Sequence, residues 1–217
     1  MTAARRVRNG DGAVSALPPE ELGSSAQRDR RKRILDATLA LASKGGYEAV
    51  QMRAVAERAD VALGTLYRYF PSKIHLLVSA LARELERVQE RTDRVVIPGA
   101  TSYDRLMFIL ARITKGLQRD PQLTEAMTRA FMFADASAAA EVDQVGRLMD
   151  QMFARAMLSA EGTPSEEQLT IARVISDVWL SNLVAWVTRR ASATDVANRL
   201  ELTIGLLLGV RKAADSF

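Results

Sequence analysis

Gln51-Met-Arg-Ala-Val-Ala-Glu-Arg-Ala-Asp60-Val-Ala-Leu-Gly-Thr65-Leu-Tyr-Arg-Tyr-Phe70-Pro-Ser-Lys73 decides the fold of this chain. Met52, Val55, Ala56 and Ala59 recur at helical spacing and predict one short helix. Leu63 to Phe70 predicts a second, stopped by Pro71. Between them Asp60 to Ala62 makes a tight turn, and Asp is one of the few residues that tolerate the left-handed conformation such a turn needs. Ala56 is small, so the two helices can approach closely. The pair reads as a helix-turn-helix. In the second helix Leu66 and Phe70 can bury together, which leaves Leu63, Thr65, Tyr67, Arg68 and Tyr69 mostly facing elsewhere, and Gly64 leaves space near the helix start. Exposed aromatics, a hydroxyl and an arginine on so short a helix suit a DNA major groove, where the first residues of a recognition helix meet base edges. Lys73, beside the start of the next helix, offers a cation to a phosphate.

Outward from this stretch the helical period continues. Upstream, Ile34, Leu35, Thr38, Leu39 and Leu41 predict a first helix from about Gln27, ended by Gly45-Gly46. Arg28, Arg30, Arg31, Lys32 and Arg33 at its start form a candidate phosphate-binding cluster. Downstream, Ser72 caps a long helix to about Arg94, carried by Ile74, Leu77, Val78, Leu81, Leu85 and Val88. Pro98-Gly99 breaks the chain. Further helices follow over about Ser102 to Gln118, from Pro121 through Phe131, over Ala138 to Ser159, from Ser165 to about Arg190, and over Thr194 to Leu208. Thr101 with Asp104, and Ser165 with Gln168, are spaced as capping boxes. The expected fold is all-α, about nine helices and no strand. Residues 1–25 are expected to be a disordered basic arm bearing Arg5, Arg6 and Arg8. Residues 26–71 are the DNA-binding head, 72–97 a linker helix, and 98–217 a ligand-binding and dimerisation body.

Composition narrows the function. The 217 residues include 30 Lys+Arg, 26 Asp+Glu, one His and no Cys. Without cysteine there are no disulfides, thiol nucleophiles or thiolate metal sites, and one histidine cannot make a multi-His site. No metal and no cofactor are expected. The net charge of +4 divides unevenly: residues 1–80 carry 13 basic and 8 acidic side chains, and residues 81–217 carry 17 and 18. The excess positive charge thus belongs to the helix-turn-helix end, which points to nucleic acid. The most apolar run, Leu202 to Val210, is far short of the ~20 residues that span a bilayer, so a soluble cytoplasmic protein without membrane contact is expected.

The run Gly64-Thr65-Leu66-Tyr67-x-Tyr69-Phe70-x-Ser72-Lys73, with Arg53 and Ala56 before it, resembles the signature of the TetR family of transcriptional repressors. That resemblance implies a three-helix DNA-binding domain, a linking fourth helix, and a helical C-terminal domain that dimerises and binds a ligand. It departs from the family's pattern at Asp60, where glycine is usual, at Ala62, where serine is usual, and at Gln51, where a hydroxyl is usual. Within the family, Ser43 to Arg53, Leu123 to Phe131, Phe133 to Ser137, Ile175 to Asn182, Ala185-Trp186 and Thr188 to Val196 look like the actinobacterial repressors of cholesterol and steroid catabolism. This closer likeness covers about Leu22 to Leu208. It implies a homodimer on palindromic double-stranded DNA operators, released by a steroid-derived CoA thioester.

The candidate DNA-binding residues are therefore Arg28, Arg31, Gln51, Arg53, Leu63, Gly64, Thr65, Tyr67, Arg68, Tyr69 and Lys73. For the ligand, polarizable apolar walls suit a rigid steroid. Met107, Leu110, Met127, Phe131, Met149, Met152, Phe153, Trp179, Leu183 and Trp186 are the candidates, with Asn182 to orient it. Arg129, Arg189 and Arg190 could meet CoA phosphates. The last two helices carry more apolar surface than one face needs, as a two-fold four-helix interface would. A hydrolase of acyl-CoA or steroid substrates with a helix-turn-helix-like N-terminus is the alternative. Its only imidazole would be His75, which is expected to be an exposed helix residue. An activator or nucleoid-type protein is a third reading.

Overall fold

The computed structural model describes residues 24–159 and 162–210. The expected arm lies outside them except for Ser24, which caps the first helix, and Ser25, which begins it. The described residues form nine α-helices and one 3-10 turn, without strands. These are α1 (Ser25–Ala49), α2 (Met52–Arg58), α3 (Leu63–Tyr69), α4 (Lys73–Asp93), α5 (Ser102–Arg119), α6 (Pro121–Met132), α7 (Ala139–Ala156), α8 (Glu166–Val187) and α9 (Ala193–Leu207), with the 3-10 turn at Ala136–Ala138 before α7.

Local chemistry sets the helix starts. Ser24 with Gln27, Thr101 with Asp104, Ser165 with Gln168 and Ser192 with Asp195 close reciprocal capping boxes, each satisfying two otherwise orphaned N–H groups. At Gly45-Gly46 α1 is kinked rather than ended, with Gly46 at φ 64. At the Pro98-Gly99 break a Cβ on Gly99 would stand 2.7 Å from that of Asp104, so only glycine lets the chain turn tightly into α5.

Two apolar cores organise the chain. The first joins Ile34 and Leu35 of α1, Val55 and Ala56 of α2, Leu66 and Tyr69 of α3, and Leu76 and Leu77 of α4. It does not stop at the head: Ala126, Met127 and Ala130 of α6 and Val145 of α7 belong to the same cluster. The second joins α5, α7, α8 and α9 through Leu106, Ile109, Leu110, Met152, Phe153, Ile175, Leu200 and Ile204. Buried Arg105 ties its start together, donating to the carbonyls of Gly99, Ala156 and Met157 at 2.9–3.1 Å. Three of the last carbonyls around the α7 end and the break are thereby satisfied by one guanidinium.

Helix α4 is fastened to the body along its length. His75 meets the carbonyl of Ser137 at 3.0 Å, Gln144 donates to Glu86 at 2.7 Å, and Arg155 pairs with Asp93 at 2.9 Å. These pairs ascend together, so α4 and α7 run in the same direction.

Candidate nucleic-acid interface and effector cavity

The helix-turn-helix is built by its turn. Helix α2 ends in a Schellman motif in which the N–H of Val61 donates to the carbonyl of Ala56 at 3.0 Å and that of Asp60 to Glu57 at 3.2 Å. Asp60 occupies the left-handed position, φ 52, where glycine is usual. Ala56 is buried at the crossing. Neither Gln51, before α2, nor Ala62, before α3, makes a side-chain cap, as expected from the missing hydroxyls.

On α3 the tyrosines part company. Tyr67 is 47% exposed, whereas Tyr69 is 1% exposed. The expectation that Tyr69 faces outward is corrected. Leu66, Tyr69 and Phe70 lie at i, i+3 and i+4 and share the buried face. Arg68 is exposed beside them, its guanidinium 6.0 Å from the Tyr69 ring centroid. Gly64, Arg53 and Gln51 are exposed, and Leu63 and Thr65 half-buried. On α1 Arg28 is exposed, while Arg31 is half-buried with its guanidinium 5.6 Å from the Phe70 ring centroid. The outward faces of α1, α2 and α3 thus combine cations, an aromatic and a hydroxyl.

Lys73 is placed differently from a free cation. Its Nζ lies 3.7 Å from the centroid of the Tyr47 ring, and the Arg129 guanidinium lies 4.3 Å from the same centroid. Glu125 accepts the Tyr47 backbone N–H at 3.1 Å, and Arg129 pairs with Glu48 at 2.8 Å. Desolvation lowers the Lys73 pKa, opposed by nearby Glu48. One tyrosine at the end of α1 therefore binds the start of α4 to α6 by cation–π contacts.

His75 is buried, 3% exposed, against the expectation that it is solvated. Its Nε2 donates to the Ser137 carbonyl at 3.0 Å, which leaves Nδ1 to accept from the Ser72 hydroxyl at 2.8 Å. Both ring nitrogens are occupied, Nε2 in joining head to body and Nδ1 at the N-cap of α4, so neither stands ready as a general base.

The body holds an apolar cavity of about 350 Å³ between α4, α5, α6, α7 and α8, within the ~300–1,000 Å³ usual for small-molecule sites. Met127, Phe131, Met149, Trp179 and Leu183 line it. Met107, Leu110, Met152 and Phe153 do not; they pack in or against the second core, a correction with a simple cause. A polarizable apolar side chain serves a packed core and a cavity wall equally, and sequence alone cannot tell them apart. Asn182 is also away from the wall, buried and donating to the Val178 carbonyl at 2.8 Å, its Oδ1 without a hydrogen-bond partner among the described residues. Trp186 lines two adjoining voids rather than this one. Sequence reasoning missed the α4 and α5 walls, Leu81, Leu85 and Leu117, and the hydroxyls Thr124, Thr128 and Ser176. It also missed Asp150, which accepts from Ser176 at 2.8 Å and pairs with Arg173 at 3.4 Å. Among the described residues no His, Cys, Asp or Glu cluster could hold a metal, and no helix is long and apolar enough to cross a membrane.

Comparison with known proteins agrees with this architecture. Residues 34–80 match the model of bacterial regulatory proteins of the tetR family, and residues 99–207 match the tetracyclin repressor-like C-terminal domain. The chain belongs to the TetR family and is a regulator rather than an enzyme. It is 71% identical over 209 residues to the HTH-type transcriptional repressor KstR of Rhodococcus jostii, covering 96% of this chain and 97% of that one. To KstR of Mycobacterium tuberculosis it is 67% identical, covering 93% and 90%. Among solved structures, a TetR transcriptional regulator from Rhodococcus sp. RHA1 is similar at a TM-score of 0.74 and 34% identity, covering 87% of this chain and all of that one. Thermus thermophilus FadR, a repressor solved with lauroyl-CoA, shares the fold at 0.60 and 21% identity, covering 86% and 99%.

Proposed function

We propose that this protein is a homodimeric repressor of steroid-catabolism genes that leaves its operator when a steroid-derived CoA thioester binds the body. The observation that carries the reading is one chain combining an exposed recognition helix with a 350 Å³ apolar cavity, in a sequence 71% identical to a KstR repressor. Residues 26–71 read DNA, 72–97 link, and 98–217 hold the effector and the partner subunit. The protein works in the cytoplasm.

In this reading α3 enters the major groove. Gly64, Thr65, Tyr67 and Arg68 meet base edges there, Leu63 packs at the groove wall, and Arg28, Arg31, Gln51 and Arg53 meet the phosphate backbone, while Lys73 stays on the Tyr47 ring. Leu202 and Leu206, 65% and 74% exposed on α9, and Val174 on α8 supply the apolar dimer face. Two-fold symmetry sets the half-site spacing at about 34–36 Å or a multiple. The effector acts through its differential affinity for two arrangements of the heads.

The test is a mobility shift on the gene's own upstream DNA, challenged with a sterol, a steroid carboxylic acid and its CoA thioester. Release by the thioester is expected. Release by the free sterol alone would overturn the effector class, and no retardation of that DNA would overturn the operator.

A further inference from the structure

Two further voids adjoin the apolar cavity in succession along α8. A gap of about 20 Å³ shares Leu117, Trp179 and Leu183 with the cavity, and shares Trp186 with an open groove of about 460 Å³. Trp179, Leu183 and Trp186 lie at i, i+4 and i+7, a single helix face, so the three voids follow one wall. The groove lies between the end of α8, the start of α6 and the Gly45-Gly46 kink of α1.

We propose that this groove is the seat of the phosphorylated adenosine end of a CoA thioester, with the indole of Trp186 beneath the purine and the guanidinium of Arg189 on the phosphates. The apolar cavity then takes only the uncharged acyl part. The proposal rests on the thioester reading above and adds where the polar end goes.

Charge sets the direction. Glu84, Asp120, Asp150 and Asp177 all border the cavity, against one cation, Arg173, which is already paired with Asp150. A multiply charged phosphate group would be repelled there. At the groove end the acid present, Glu125, is engaged by the Tyr47 N–H and lies 3.8 Å from Arg129. Arg189 is exposed and makes no side-chain hydrogen bond or ion pair among the described residues.

The backbone at Arg189 gives a second reason. The N–H of Arg190 donates to the carbonyl of Ala185 at 2.8 Å and that of Arg189 to Trp186 at 2.9 Å, a Schellman motif closing α8. Arg189 holds the left-handed position at φ 59, which glycine occupies at no steric cost. An arginine kept where the backbone favours glycine points to a use for its side chain. A planar guanidinium binds phosphate bidentately, and an indole stacks on a purine. The floor of the groove is the glycine pair, where a Cβ on Gly46 would come within 3.1 Å of the Glu125 carboxylate. An occupant would therefore touch α1 itself, so the nucleotide end would be felt directly by the DNA-reading head.

The experiment is operator release measured by fluorescence anisotropy with a steroid carboxylic acid and with its CoA thioester. The proteins are the wild type, Arg189→Gly and Trp186→Leu. Arg189→Gly relieves the backbone, so a purely structural role predicts higher thermal stability and unchanged ligand response. The proposal predicts that the thioester loses about tenfold or more in potency while the acid is unchanged. An undiminished preference for the thioester in Arg189→Gly overturns the groove assignment, as does an equal loss for both ligands. Should the thioester fail to release the wild type, the effector reading falls. The groove is then judged by coenzyme A alone, which should quench Trp186 in Trp179→Phe but not in Trp179→Phe/Arg189→Gly. No quenching in the first of these overturns it.

Discussion

Arg68 and Asp60 show what single residues do in the head. Arg68 is exposed on α3 and, among the described residues, meets only the Tyr69 ring. Arg68→Ala should leave thermal stability unchanged and weaken operator binding by about 1–3 kcal/mol, read by titration at fixed salt. Asp60 carries its turn at φ 52. Asp60→Gly should raise the unfolding free energy by about 0.5–1 kcal/mol, measured in urea, with the recognition helix held as before. The tyrosine pair separates packing from contact. Tyr69→Ala removes a fully buried ring and should cost about 3–5 kcal/mol, whereas Tyr67→Ala should keep the fold and lose DNA affinity.

At the scale of elements, caps and junctions determine behaviour. The Asp104 and Asp195 carboxyls are held below the usual carboxylate range, first by the hydroxyls of Thr101 and Ser192 and then by backbone N–H groups. A lowered folded pKa stabilises above the unfolded value, ~3.9. The contribution is lost as pH falls through the folded value. Asp104→Asn and Asp195→Asn should therefore flatten the fall in urea midpoint between neutral and acid pH. The α1–α4–α6 junction depends on the ring of Tyr47 between Lys73 and Arg129. Tyr47→Phe should preserve effector-dependent release, and Tyr47→Leu should diminish it, because the cations lose the aromatic face.

For the whole molecule, the continuity of the first core from α1 to α6 and α7 means that the head is not an independent unit. Residues 24–97 alone would leave the face covered by Ala126, Met127 and Ala130 bare, and should melt well below the full chain by circular dichroism. Dimerisation belongs to this scale too. Leu202→Glu with Leu206→Glu places two charges on the exposed apolar face of α9. Sedimentation should then show monomers, and operator binding should fall with loss of the paired half-sites.

Much of this was legible in the sequence because helices announce themselves locally. The 3.6-residue period, the Thr101 and Ser165 boxes, Pro71 and Pro98-Gly99 fix which segments are helical from neighbours a few residues away. The charge division, +5 before residue 81 and −1 after it, likewise needs no coordinates to mark the DNA-reading end. What was not legible depends on distant partners. Tyr67 and Tyr69 are alike in composition, yet one faces out and one is buried in the first core. His75 is occupied by a carbonyl 62 residues away. Met149 and Met152, one turn apart, both belong to the second core, yet of the two Met149 alone also borders the cavity. A helix face specifies that its side chains will be buried, but only the spacing between helices decides whether they meet another side chain or an empty volume. The sequence alone thus determined an all-α chain with a helix-turn-helix at its basic end. The tertiary structure decided where the cavity lies, how the head is bound to the body, and which residues reach the groove beside α1.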